Sequence, residues 1–338
     1  MLFRSFLSEN RQELAAQGIV VPSFLGIGPN HRWLPLLAQD EATLDGFAVR
    51  QGLHTSAERL RERRDAKRKE LREAVAGQPR ARWIISSEQL HSRLDLVDLL
   101  RLRRLLEPLF EEIRVLVYLR HPLPTAISSW SSRVRAGRVT PSLPPAESFA
   151  NLCDHGPTLR CWQRVFGRQR LMVRLFHPAE LRGGSLIADF CEAAGIANAR
   201  GLRHPEPANR SLSYQAIRLL WHLQQHLRDD GAAGDCLTLP SATWRWRELV
   251  RFVEGALPGF PVYVPTAVER DRFAAYYADS ERWLCREFFP DRPSLWSAGE
   301  LAVRPEGDPR FESGLGAAEA ALVRMLADLW RGGGRVAP

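Results

Sequence analysis

Apolar positions along the chain follow two patterns. Four short runs, "IVVP" from Ile19, "RWIISSE" at 82–88, "IRVLVYLR" at 113–120 and "LMVRLF" at 171–176, are rich in Val, Ile and Leu without strict alternation. That is how strands covered on both faces read. Ahead of the first run, Phe3, Phe6, Leu7 and Leu14 fall near helical spacing, and Gly18 stands where a helix C-terminus favours a left-handed residue. Between the runs, residues 56–76, 94–110, 123–136 and 158–166 carry apolar positions at helical spacing, with Gly or Pro between them. Strand alternating with helix predicts the α/β class: a parallel sheet with flanking helices. From about residue 185 the pattern turns helical, through "SLIADFCEAAGI", "SLSYQAIRLLWHLQQHL", "ATWRWRELVRFVEGAL", "RFAAYYADSERWLCREFF" and "AAEAALVRMLADLWR". The chain therefore reads as an α/β core over 1–184 and a mostly helical part of the same fold over 185–338, with an irregular stretch at 290–314. The loops "HPEPAN", "DDGAAGDCLTLPS" and "LPGFPVYVPT" punctuate the second half, and no internal repeat is present.

Composition narrows this picture only slightly. A net charge of +8 and a pI near 9.7 permit an anionic partner, but the basic charge is almost all Arg, and Lys67 and Lys69 are the only lysines. "AERLRERRDAKRKELREAV" reads first as a solvated helix face laced with weak ion pairs. Trp244 and Trp246 beside Arg245 and Arg247 are a faint version of the interleaved aromatics that nucleic-acid binding needs, so nucleic acid is not the expected partner. Cys153, Cys161, Cys191, Cys236 and Cys285 are odd in number and lack the paired spacing of a zinc site. They read as reduced thiols of a cytoplasmic protein, with no metal. No run approaches the ~20 apolar residues of a membrane span, and "MLFRSFL" is too short for a secretory signal. "GIGPN" at 26–30 contains Gly-x-Gly but has no helix and basic residue behind it, so it reads as a turn.

"VLVYLRHPLPTAISSW" carries the most specific chemistry. A buried strand delivers Arg120 to its carboxyl end, Pro122 turns the chain, and a helix begins that carries Ser128 about one turn in. In an open parallel sheet these positions face the ligand crevice. The natural ligand is an anion: Arg offers a planar fork of donors, Ser a hydroxyl, and the helix N-terminus partial positive charge. The alternative is an Arg paired with a carboxylate and a Ser bonded within its own helix.

This stretch resembles the sulfotransferases of the P-loop nucleotide-binding fold, and particularly a bacterial branch of sulfotransferase-like proteins. There a strand ending in Arg, then Pro, then Ser eight residues after the Arg binds the 3′-phosphate of 3′-phosphoadenosine 5′-phosphosulfate (PAPS). The resemblance therefore assigns Arg120 and Ser128 to that phosphate. "FLSENRQELAAQGIVVP", "NHRWL", "IISSEQL", "NRSLSYQAIRLL" and "YYADSERWLCREFF" resemble further segments of the branch in the same order. The family also begins with a strand and a Gly-rich loop containing Lys and Ser or Thr, which wraps the 5′-phosphosulfate and leads into the helix that starts here at the first residue. No Gly-x-x-x-x-Gly-Lys pattern occurs in this sequence. The expectation is a first strand missing from between "IISSE" and "VLVYLR", through a start codon set too late or in a non-catalytic relative.

The resemblance implies sulfuryl transfer from PAPS to a hydroxyl of a carbohydrate or other metabolite, with the helical half covering the acceptor side. Such transfer needs a fixed donor, charge stabilisation on the leaving phosphate and a base for the acceptor's proton. The candidate bases are His31 in "GPNHRWL", Glu88 in "ISSEQL" and, one turn farther from the strand end, His91. Against these stand bland roles: a His capping the next helix, and a carboxylate near a helix N-terminus. A non-catalytic binder of a nucleotide or partner is the alternative function.

Overall fold

The computed structural model describes residues 2–26, 30–40, 56–199, 201–205, 211–229, 240–257, 260–296, 301–308, 311 and 316–331. Helices α1 (Leu2–Glu9) and α2 (Arg11–Ala15) lead into β1 (Ile19–Val20), and α3 (Trp33–Ala38) and α4 (Ala57–Ala76) precede β2 (Arg82–Trp83). A turn of helix at Gln89–Ser92 and α5 (Leu96–Leu106) come before β3 (Val115–Leu119). Helix α6 (Pro122–Arg135), a turn at Ala150–Cys153 and α7 (His155–Phe166) come before β4 (Leu171–Leu175). Then follow α8 (Leu186–Ala193), α9 (Tyr214–Asp229), α10 (Pro240–Ala256), α11 (Ala267–Phe288) and α12 (Ala317–Arg331). The chain is thus a mixed α/β protein, mostly helical. Its two compact units are discontinuous in sequence, where the sequence reading cuts the chain once. The first takes Met1–Arg120, Asp154–Ala208 and Ser280–Leu295, and the second takes His121–Cys153, Asn209–Asp279 and Trp296–Pro338.

All four strands belong to the first unit. Strand β1 runs parallel to β2 in the register Ile19↔Arg82, and β3 parallel to β4 in the register Val115↔Leu171 through Leu119↔Leu175. The sequence predicts one sheet; among the described residues there are two parallel ribbons, and β2 and β3 are each paired along one edge only. What joins the ribbons is apolar packing. Phe6 and Leu7 of α1, Leu14 of α2, Ile19, Val21 and Ile187 and Phe190 of α8 form one buried cluster, against which Ile84 after β2 and Leu116 and Tyr118 of β3 pack. The helical spacing of Phe3, Phe6 and Leu7 is therefore the spacing that lays α1 across both ribbons. Gly18 takes φ +72°, ending α2 in the left-handed conformation that a side chain would resist, and lets the chain turn into β1 within one residue.

Helix α4 fits its charge pattern only in part, for Arg64 is buried and Lys67 and Arg68 are half-buried. Ser56 caps it by accepting from the Arg59 N–H at 3.1 Å, while Leu60, Leu71 and Val75 are buried. Lys67–Glu70, Arg68–Asp65 and Lys69–Glu73 pair along it. The exposed pair Lys69–Glu73 contributes only a few tenths of a kcal/mol (~0.3–0.5).

In the second unit, Trp130 of α6 is fully buried, with its indole N–H donating to Thr140 Oγ1 at 2.8 Å. Trp246 of α10 is equally enclosed and donates to the Val134 carbonyl at 2.9 Å. Both indoles therefore bury a large apolar area with their polar atom satisfied, and Trp246 is a core residue rather than a stacking platform. No helix among the described residues is long and apolar enough to cross a membrane. Cys153, Cys161, Cys191 and Cys285 are not disulfide-bonded; Cys236 lies outside the described residues.

Candidate functional site

In parallel pairs the carboxyl ends of neighbouring strands lie side by side, and the loops that leave them share one edge. The loop after β1 brings in Asn30 and His31, and the chain after β2 brings in Ser86, Ser87, Glu88 and Gln89. These two loops are clasped together. The His31 N–H donates to the Ser86 carbonyl at 3.1 Å, the Ser86 N–H donates to His31 Nδ1 at 2.8 Å, and Asn30 Nδ2 donates to Gln89 Oε1 at 3.2 Å. Of "GIGPN", residues 27–29 lie outside the described residues.

His31 is 1% exposed, and burial followed by the Arg11 guanidinium lowers its pKa from 6.5 to about 4. Because Nδ1 accepts from a backbone N–H, the neutral ring carries its proton on Nε2. His31 thus offers a donor at its second nitrogen, which suits holding an oxygen rather than abstracting a proton. The depressed pKa has a stability consequence. The unfolded chain takes up the proton near pH 6.5 and the folded one only near pH 4, so stability present above pH 6.5 falls as pH drops across that window. The loss is about 3 kcal/mol at 1.36 kcal/mol per unit. His31→Asn keeps an acceptor for Ser86 without a titrating ring. Urea unfolding at pH 7 and pH 4 is expected to show a clearly smaller loss for His31→Asn than for the native chain; equal losses would contradict this account.

Glu88 is exposed and stands at the start of the Gln89–Ser92 turn, where its carboxylate accepts from Gln89 Nε2 at 3.2 Å and its carbonyl from Ser92 Oγ at 3.4 Å. Arg120 is exposed at the carboxyl end of β3, its guanidinium 5.6 Å from the centre of the Phe176 ring at the end of β4. The ladder runs on to this edge, since the Phe176 N–H donates to the Leu119 carbonyl at 2.7 Å. Ser128 belongs to the second unit. It is half-buried on the second turn of α6, and its carbonyl accepts from Ser132 Oγ at 3.0 Å. His121 caps α6, its Nδ1 accepting from the Leu123 N–H at 3.2 Å.

The structure also brings together residues that spacing does not. His91 Nε2 lies 3.2 Å from His155 Nδ1, and His155 Nε2 lies 3.1 Å from the Arg120 carbonyl oxygen. His155 is buried, and burial lowers its pKa. This chain of contacts ties the loop after β2 to the end of β3, so the carboxyl ends of both ribbons meet at one edge. The first turn of α7 holds His155 there because Gly156 lets α11 come close. The Gly156 N–H donates to Ser280 Oγ at 2.7 Å, and a Cβ at Gly156 would stand 2.4 Å from that oxygen. Sequence reasoning missed His155; its position at a helix start in "CDHGP" was the one available signal. No group of three or more His, Cys, Asp or Glu able to hold a metal occurs among the described residues.

A second polar group braces the same unit. Asp189 of α8 is fully buried and accepts from Tyr118 at 2.6 Å, from Arg174 at 2.6 and 2.7 Å, and from the Arg182 N–H at 3.1 Å. It links α8 to β3 and β4 behind the edge that carries Arg120.

Comparison of the chain with family models, with curated proteins and with solved structures finds no match.

Proposed function

We propose that the chain is a sulfotransferase-like protein of the P-loop nucleotide-binding fold, taking PAPS as donor and a hydroxyl of a carbohydrate or other metabolite as acceptor. One observation carries the reading. Arg120 is an exposed guanidinium at the carboxyl end of a parallel strand, two residues before a helix that starts at Pro122. A planar fork of donors at a strand end suits a phosphate, through bidentate bonds. Ser128 joins the 3′-phosphate site through the resemblance of "RHPLPTAIS" to the family motif.

In the reaction proposed, the acceptor oxygen bonds to sulfur as the bond from sulfur to the 5′-phosphate oxygen breaks. The leaving group is adenosine 3′,5′-bisphosphate, and the acceptor's proton passes to a base. Arg120 and Ser128 fix the donor, and positioning supplies most of the rate. His31 and Glu88 stand at the strand-end loops where the base is expected; His31 in its present tautomer serves as a donor to oxygen, which leaves Glu88 and His91 for the proton.

A second reading is a non-catalytic nucleotide or partner binder. It is favoured by both lysines lying within helix α4 rather than in a loop that follows a strand. The two readings part on transfer. Incubating the protein with sulfur-35-labelled PAPS and a panel of sugars and simple phenols is expected to give labelled acceptor. Tight binding of adenosine 3′,5′-bisphosphate with no labelled product would favour the binder, and neither binding nor product would remove both.

A further inference from the structure

We infer that Arg218 anchors a site for the carboxylate of a small organic acid, built on helix α9 of the second unit. The inference does not rest on the sulfuryl-transfer reading.

Along "SLSYQAIRLLWHLQQHL" the apolar residues Ala216, Ile217, Leu219, Leu220 and Leu223 are buried in the core of the second unit, and Arg218 lies among them with 8% of its surface exposed. A guanidinium keeps its charge in proteins, so Arg218 is a buried cation. Burying a charge is costly unless an opposite charge and hydrogen bonds answer it. Among the described residues Arg218 forms no hydrogen bond and no ion pair, and its Nη2 is closed off from solvent without an acceptor. The Tyr214 ring, one turn earlier, is centred 6.0 Å from the guanidinium, at the outer limit of a cation–π contact. Other guanidiniums of the unit show what is missing here. Arg304 donates Nε to the Val264 carbonyl at 2.9 Å, and Arg135 pairs with Glu254 at 2.6 Å. Three carboxylates of the unit are engaged elsewhere: Glu254 by Arg135, Glu269 by the Thr266 N–H at 2.8 Å, and Glu319 by the Gly316 N–H at 2.9 Å. The counter-charge that Arg218 needs is therefore to be supplied by a ligand.

The charge balance names the class of ligand. His222, one turn after Arg218, has its pKa lowered by burial and then by the Arg218 charge, against a smaller opposing pull from Glu319, so it adds no positive charge at neutral pH. The site thus carries one positive charge on a planar fork of donors. A carboxylate matches that fork in charge and in shape, one oxygen on Nη2 and the other on a neighbouring nitrogen of the same guanidinium. A phosphate dianion would bring a second negative charge into the core, which neither Tyr214 nor His222 answers.

The test is urea unfolding of the intact protein at pH 7, first in sodium chloride and then with about 100 mM sodium acetate in its place at the same ionic strength. A ligand that binds only the folded state raises the folding constant. The native chain is expected to gain about tenfold in acetate, Arg218→Met to change by less than about twofold, and Arg120→Ala to gain as the native chain does. In chloride alone Arg218→Met is expected to be more stable than the native chain, because Met fills the place of the stem and removes a charge that has no counterion. Equal responses of the native chain and Arg218→Met to acetate overturn the site. So does an Arg218→Met that is less stable than the native chain in chloride, which would show the guanidinium already answered by a carboxylate of this chain outside the described residues. A gain in sodium phosphate with none in acetate overturns the assignment to a carboxylate. A gain in acetate that is lost in Arg120→Ala and kept in Arg218→Met moves the anion to the end of β3 and overturns the site as well. Should Arg218→Met not fold, Arg218→Gln takes its place in the same comparison.

Discussion

Asp189→Ala is expected to destabilise the protein by about 3 kcal/mol, the range for removing one partner of a buried charged pair. Asp189 has no exposed surface, and three donors converge on it: the Tyr118 hydroxyl, the Arg174 guanidinium and the Arg182 N–H. Alanine leaves all three without their acceptor. Arg174 is about a third exposed, at 34%, so water recovers part of its loss, and the estimate sits at the low end for that reason. Asp189→Asn retains an acceptor for one donor and is expected to lose roughly half as much. The same geometry fixes a pH dependence. Burial alone would raise the Asp189 pKa, but the bonds from Arg174, Tyr118 and Arg182 outweigh it and hold the carboxyl below its ordinary value of 3.8. A carboxyl depressed in the folded state contributes stability above pH 4 that is lost as acid protonates it. Urea unfolding at pH 7 compared with pH 3 therefore reads a smaller acid loss in Asp189→Ala than in the native chain. A variant as stable as the native chain at pH 7 would show that the cluster is not what braces β3 and β4.

The strands and most helices are legible because burial and period coincide. "LMVRLF" and "IRVLVYLR" became β4 and β3 within one or two residues, and "AERLRERRDAKRKELREAV" became α4 with its apolar stripe turned inward. What the sequence hid was pairing. Nothing in "RWIISSE" says that its strand pairs over two residues before Ser86 turns to His31, or that β2 and β3 are each paired along one edge only among the described residues. The candidate site was legible to the same degree. Arg120 and Ser128 stand out because strand, Pro and helix surround them in one continuous stretch. The role of His31 could not be read, because its tautomer is set by a partner distant in sequence, Ser86. Asp189 escaped notice for a related reason, since an acidic residue on an amphipathic helix reads as solvated until β3 and β4 supply Tyr118 and Arg174.

Arg120→Ala is expected to weaken adenosine 3′,5′-bisphosphate binding by tenfold to a hundredfold, the effect of about 1.5–3 kcal/mol from losing hydrogen bonds to a charged group. Arg120 is exposed at the strand end, and its removal leaves the His155 bond in place, because that bond is to the Arg120 carbonyl. Folding is therefore expected to be preserved, and the loss is to be confined to ligands that carry the 3′-phosphate. Calorimetric titration of the native and Arg120→Ala proteins with adenosine 3′,5′-bisphosphate and with adenosine 5′-monophosphate separates these effects. The native protein is expected to prefer the bisphosphate by tenfold or more, and Arg120→Ala to bind the two nucleotides alike. Equal affinities in the native protein, or a preference that survives in a folded Arg120→Ala, would contradict the assignment of Arg120 to the 3′-phosphate.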